Sequence, residues 1–210
     1  MNKSIVVLIA VIGLAAFIPQ DLDAGVGIKG GYTLSKFLLK SSDPLNPPPS
    51  FSNLPYYAGG LYFNLGLGFV TIQPEILYVR MGGRLDDDPS FILEFRFDYV
   101  QVPVLLKINI VPAGPIRPFL CAGGYGAYLF KATGVTIEAG VEPSRMDLKD
   151  TYQELDYGVV GGAGLTFKLP GIALTVEGRY NYGLRNLLID PAAGESMKNS
   201  SLMAFVGIGF

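Results

Sequence analysis

The chain has 210 residues, half of them apolar, with 16 basic and 18 acidic side chains, one cysteine, no histidine and a mean hydropathy of +0.37. A balance this close to neutral excludes nucleic acid as a partner, because phosphate neutralisation needs a basic face. The lone Cys121 excludes an internal disulfide and reads as a small strand residue, and the missing imidazole argues against acid–base enzymology.

Residues 1–24 read as a signal peptide: Lys3 supplies a short positive start, 5–18 is an apolar run too short to span a bilayer, and the cut is expected after Ala24. That leaves 25–210 as one domain with 15 basic and 16 acidic residues. Beyond the leader no stretch approaches the roughly 18 apolar residues of a membrane helix. An apolar chain without such helices points to a closed barrel, the other structure that pairs every backbone group in lipid.

Eight strands are expected in the order of the chain, over 25–37, 56–67, 70–81, 91–108, 116–131, 155–168, about 172–185 and about 200–210. The first sets Val26, Ile28, Tyr32 and Leu34 against Lys29, Thr33 and Ser35, and the second sets Tyr57, Leu61 and Phe63 against Ala58, Tyr62 and Asn64. In the third, Ile72, Pro74, Ile76 and Tyr78 oppose Gln73 and Glu75. The fourth begins with Phe91, Leu93, Phe95 and Phe97 apolar but continues with Val100, Val102, Val104 and Leu106, so a bulge near Asp98 and Tyr99 is expected to flip its faces. The fifth is rich in glycine, and the sixth sets Tyr157, Val159, Leu165 and Phe167 against Asp156 and Thr166. The seventh alternates most regularly, Leu174, Val176, Tyr180 and Tyr182 against Glu177, Arg179 and Asn181. The eighth carries Leu202, Ala204, Val206, Ile208 and Phe210 on one face.

Connectors alternate between long, at 38–55, 82–89, 132–153 and 186–199, and short. Even strand number with one-sided long loops defines an all-β, eight-stranded antiparallel up-and-down transmembrane β-barrel. Tyr32, Tyr57, Tyr78, Tyr128, Tyr157 and Tyr182 fall near the long-loop ends as one aromatic girdle, and Phe167 and Phe210 near the other rim. Val206, Ile208 and Phe210 resemble the C-terminal signal that directs barrels to their assembly machinery. A soluble eight-stranded lipocalin is the rival, with its apolar face inside and no girdles. Pro74, Pro103 and Pro118 interrupt strands, so a ladder gap or bulge is expected at each.

Lys29, Glu75, Glu177 and Arg179 are expected inside the lumen as a polar plug rather than an ion path, since eight strands leave little bore. Asp86, Asp87 and Asp88 read as a solvated run rather than a cation site, and no metal or cofactor is expected. Arg80 and Arg84 are placed to meet lipid phosphates, and Pro47, Pro48 and Pro49 to stiffen a loop.

Gly30-Gly31-Tyr32, Gln73-Pro74-Glu75-Ile76-Leu77-Tyr78, Tyr99-Val100-Gln101-Val102-Pro103, Arg117-Pro118-Phe119 with Gly123 and Gly124, and Glu177-Gly178-Arg179-Tyr180 together resemble the PorT-like outer-membrane β-barrel proteins, across 25–210. The resemblance implies a barrel in a Gram-negative outer membrane, with no catalytic set to carry over and an association with protein secretion. An acidic position often seen in that family is Gln101 here. Residues and resemblance together predict a monomeric, non-enzymatic barrel with a closed lumen. It would act structurally or through external loops on a surface partner, or else as a secretion accessory.

Overall fold

The computed structural model describes residues 23–41, 51–88, 91–111, 113–138, 142–189, 191 and 194–210. The expected signal peptide lies almost wholly outside them, as does the triple proline. Nine strands form among the described residues: β1 Asp23–Lys40, β2 Leu54–Leu67, β3 Val70–Asp88, β4 Phe91–Asn109, β5 Ile116–Glu138, β6 Ser144–Asp147, β7 Leu155–Leu169, β8 Ile172–Gly183 and β9 Ser196–Gly209. Every pairing is antiparallel; β4 closes on β5 and β1 on β9, so β1 to β5 and β7 to β9 make a ring of eight, with β6 laid against the upper end of β5.

Closure removes sheet edges and leaves two surfaces, one toward lipid and one toward the lumen. The faces at membrane height are those the alternation predicts. Ile28, Tyr32, Leu61, Val104, Val176, Leu202 and Val206 stand exposed, while Lys29, Thr33, Tyr62, Gln73, Glu75, Glu177 and Arg179 are buried. Leu202 to Phe210 is eight residue steps, roughly 20 Å of wall once strand tilt is allowed for. Short turns with left-handed glycines at Gly68, Gly114 and Gly171 close the lower rim.

Three expectations are corrected. First, 82–88 and 132–138 are not loop but strand: β3 continues to Asp88 and β5 to Glu138, so from Tyr78 the β3 wall climbs about 33 Å further along the strand. Beyond the lipid, β-ladder bonding remains the best use of the backbone, and a polar outer face no longer signals a loop.

Second, β4 does not flip. Phe95, Phe97, Tyr99, Gln101, Leu105 and Lys107 all point inward in one phase, and the β3–β4 register runs unbroken from Leu85 to Leu77. What changes is the solvent outside: above the tyrosines the outer face carries Glu94, Arg96 and Asp98. The extra residue at this height is Phe130 on β5, since Asp98 faces Lys131 while Tyr99 faces Leu129.

Third, the prolines act unequally. The ladder is interrupted between Tyr62–Glu75 and Leu65–Ile72, and again between Leu77–Gln101 and Pro74–Val104, with the register unchanged. Pro74 and Pro103 thus open gaps without bulges, whereas Pro118 stays paired with Leu165 and its carbonyl accepts from Ile110 N–H at 2.9 Å.

Candidate functional site

The lumen is filled in two layers. In the lower layer, β1 supplies Lys29, β3 supplies Gln73 and Glu75, and β8 supplies Glu177 and Arg179 two residues apart on one face. Lys29 Nζ donates to Glu75 Oε1 at 2.7 Å and to Glu177 Oε1 at 2.6 Å. Arg179 grips Glu75 in a two-point fork, Nη1 to Oε2 at 2.7 Å and Nη2 to Oε1 at 2.6 Å, and its Nη2 lies 2.7 Å from Glu177 Oε1. Gln73 Nε2 donates to Glu75 as well. Lys29 also sits 5.0 Å from the Tyr62 ring and 5.3 Å from the Phe205 ring, and Arg179 5.4 Å from Phe205.

Two cations and two carboxylates thus meet across the barrel axis, the condition under which buried ions are tolerated. The four residues expected there are all present and in contact. Small residues opposite make room: a Cβ on Gly162 would lie 2.4 Å from the Gly178 carbonyl oxygen and 3.0 Å from Arg179 Cγ.

Above this lies a second polar network that alternation alone does not single out. Asn199 Nδ2 donates to Asp156 Oδ2 at 2.8 Å and to Tyr99 Oη at 3.1 Å, and Tyr125 Oη donates to Asp156 at 3.5 Å. The inward phase of β7 and β9 places Asp156 and Asn199 inside, but the pairing of strands that brings them to Tyr99 on the far wall is a tertiary fact.

The upper layer is aromatic. Phe37 packs on Phe51 at 5.3 Å and Phe97 at 5.0 Å, Phe51 on Phe95 at 5.6 Å, and Phe97 on Tyr152 at 4.8 Å between ring centres. Three of the contributors come from connectors: Phe51, Tyr152 and the fully buried Leu187. Backbone bonds hold them in place, Ser52 with Arg84 and Gln153 N–H to the Leu187 carbonyl at 2.9 Å. Burial pushes the Tyr152 hydroxyl above its ordinary range.

On the outer surface the tyrosines form a row through the register: Tyr32 opposite Tyr57, Tyr57 stacked on Tyr78 at 5.9 Å, Tyr128 beside Val100 of the next strand, and Tyr182 beside Val159. Tyr32, Tyr57, Tyr128 and Tyr157 are exposed, Tyr78 and Tyr182 half-buried. At the opposite rim stand Phe210 and half-buried Phe167, joined by exposed Phe69 in the β2–β3 turn. Phe69 has no strand alternation to assign it. Arg80, on the outer face just above this row, is tied to its neighbours: its Nε and Nη2 bind Asp98 at 2.6 and 3.1 Å, and Tyr78 Oη donates to the same carboxylate at 2.7 Å. Asp86, Asp87 and Asp88 end β3, and their side chains lie outside the described set.

A closed eight-stranded ring with an apolar outer band, aromatic rims and an ion-filled lumen defines an integral outer-membrane β-barrel. The family pattern for the outer membrane protein beta-barrel domain matches residues 19–188, and the chain belongs to that family and to the bacterial outer membrane. Among solved structures it is similar to OprG from Pseudomonas aeruginosa, with 9% identity and a TM-score of 0.50 over 89% of this chain and 94% of that one. It is also similar to Neisserial surface protein A, with 14% identity and a TM-score of 0.47 over 89% and 97%. A third is Ail, the attachment invasion locus protein of Yersinia pestis, with 15% identity and a TM-score of 0.43 over 89% and 99%. At these identities the likeness is one of fold. No curated protein matches the chain.

Proposed function

We propose that this protein is a non-enzymatic barrel with a closed lumen that acts on a surface partner through its external wall. The observation that carries this is the double seal. An ion cluster crosses the lower lumen, and an aromatic stopper built partly from connector residues Phe51, Tyr152 and Leu187 fills the upper one. A conduit needs an open bore; this one is packed with side chains. The chain lacks histidine, and the buried carboxylates Glu75 and Glu177 of the ion cluster are held by cations. What remains accessible outside is the tall β3–β4–β5–β6 sheet, whose outward side carries Arg96, Lys131 and Arg145.

In this reading the exposed tyrosine row and the Phe167, Phe69 and Phe210 rim anchor the barrel between the two interfaces of the membrane, with lipids as its standing partners. Val206, Ile208 and Phe210 form the outward face by which the assembly machinery takes up β9. The protein is a monomer, 1–24 is its removable leader, and it needs no cofactor.

The test pairs two measurements. Purified protein in planar bilayers is expected to show no steady conductance, and cells lacking the gene are expected to lose binding to a surface partner while their secreted proteins stay unchanged. Stable single-channel openings overturn the closed lumen. The motif resemblance to PorT-like proteins favours a second reading, an accessory of secretion, and loss of secreted proteins on deletion selects it.

A further inference from the structure

The two mouths of the barrel differ. The upper mouth is stoppered, whereas the lower one holds a cavity of about 180 Å³ open at the short-turn rim. Short turns mark the periplasmic side of such barrels. Inward phases of six strands place Asn64, Thr71, Lys107, Arg117, Lys168 and Thr175 on its walls. Three of these are cations, the rest carry amide or hydroxyl groups, and among the described residues no acidic side chain lines the space.

Lys107 gives the cavity its direction. It is only 6% exposed, yet among the described residues its ammonium makes no hydrogen bond or ion pair; it lies 3.8 Å from the centre of the Phe119 ring. The four-charge cluster above is already neutral within itself, and a void of about 10 Å³, room for one water, separates Lys107 from Lys29 and Glu177. The nearest carboxylate, Glu177 across that void, is already held by Lys29 and Arg179, and a buried ammonium with no ion pair in direct contact is costly. The open side of Lys107 faces the cavity, where Arg117 and Lys168 add further positive charge.

We propose that this vestibule is a binding site for a phosphate-type oxyanion presented from the periplasm, with Lys107 as its innermost ligand. The anion supplies a counter-charge in direct contact. Arg117 lies at the mouth, its Nε bound to the Gly114 carbonyl at 3.1 Å, which fixes the guanidinium and leaves the remaining N–H groups for the ligand. Asn64, Thr71 and Thr175 donate to the remaining oxygens. The space exceeds one phosphate group, so the ligand is either free phosphate or the headgroup of an inner-leaflet phospholipid. The site is independent of the external surface proposed above.

The test uses the full barrel, folded in a non-ionic detergent, titrated with inorganic phosphate by calorimetry at constant ionic strength. Saturable binding is expected, weakened by about ten- to hundred-fold in Lys107→Gln and in Arg117→Gln and unchanged in Lys40→Gln at the opposite end. Should Lys107→Gln fail to show the heat-modifiable gel mobility of a folded barrel, Arg117→Gln with Lys168→Gln at the exposed rim carries the comparison. In phosphatidylglycerol nanodiscs a site for the free ion still takes up phosphate. A headgroup site takes up none and instead keeps phosphatidylglycerol bound through native mass spectrometry, less so in the variants. Absence of both phosphate binding and retained lipid, or binding that the variants leave unchanged, overturns the proposal.

Discussion

The lower and upper halves of this lumen are built from opposite chemistry on one continuous sheet. Below the tyrosine row the wall faces lipid, its outer side chains are apolar, and the interior holds Lys29, Glu75, Glu177 and Arg179. Above it the same strands carry Arg80, Glu94, Arg96 and Asp98 outward and Phe37, Phe95, Phe97 and Leu129 inward. The β3–β4 register does not change between the two. The inversion therefore comes from the medium: in lipid the apolar face gains by pointing out, and in water by pointing in. The upper part is in effect a soluble β-structure continuous with a membrane-spanning one.

That contrast can be broken from below. Arg179→Leu strips Glu75 of its fork and leaves an excess of buried carboxylate, so a loss of about 3–5 kcal/mol is expected in reversible urea unfolding from lipid vesicles. Adding Glu75→Leu restores neutrality and is expected to recover most of it; a double variant as weak as the single would show that the ions contribute by shape alone. Breaking it from above, Phe97→Ala opens a hole beneath Phe37 and Tyr152 and costs about 3 kcal/mol by the same measurement. Because this half is a hydrophobic core, the loss should be insensitive to salt.

Gly162→Ala sharpens the comparison by pressing a methyl against Arg179 and the Gly178 carbonyl. The expected cost is about 1–3 kcal/mol, with the tightest contact at backbone that cannot move aside. The smallest effect is expected at Lys168→Gln on the exposed periplasmic rim, within about 0.5 kcal/mol of the parent protein. A larger change there would tie the rim to folding rather than to the vestibule.

Within the lipid band the sequence was legible residue by residue, because period-two alternation and burial report the same face. The four charges on strands β1, β3 and β8 follow from parity alone. Parity does not say which charges touch; the fork from Arg179 to Glu75 joins residues 104 apart. The strand extensions at 82–88 and 132–138 were illegible because polar outward residues look like loop once water replaces lipid. The apparent flip in β4 has the same origin: Phe95 and Phe97 share the inward phase of Tyr99 and Gln101, and only the partitioning of apolar side chains reverses. Lys107 was hidden for another reason, since it is the one charge in the stretch 99–109 and its separation from Glu177 by a small void is visible only in three dimensions.

By itself the sequence determined that the chain is a barrel, how many strands close it and which side chains meet lipid, since these follow from local alternation against a uniform apolar solvent. Tertiary structure alone decided that one mouth is stoppered and the other open, because plug, stopper and vestibule are made by residues distant in the chain whose meeting depends on ring closure.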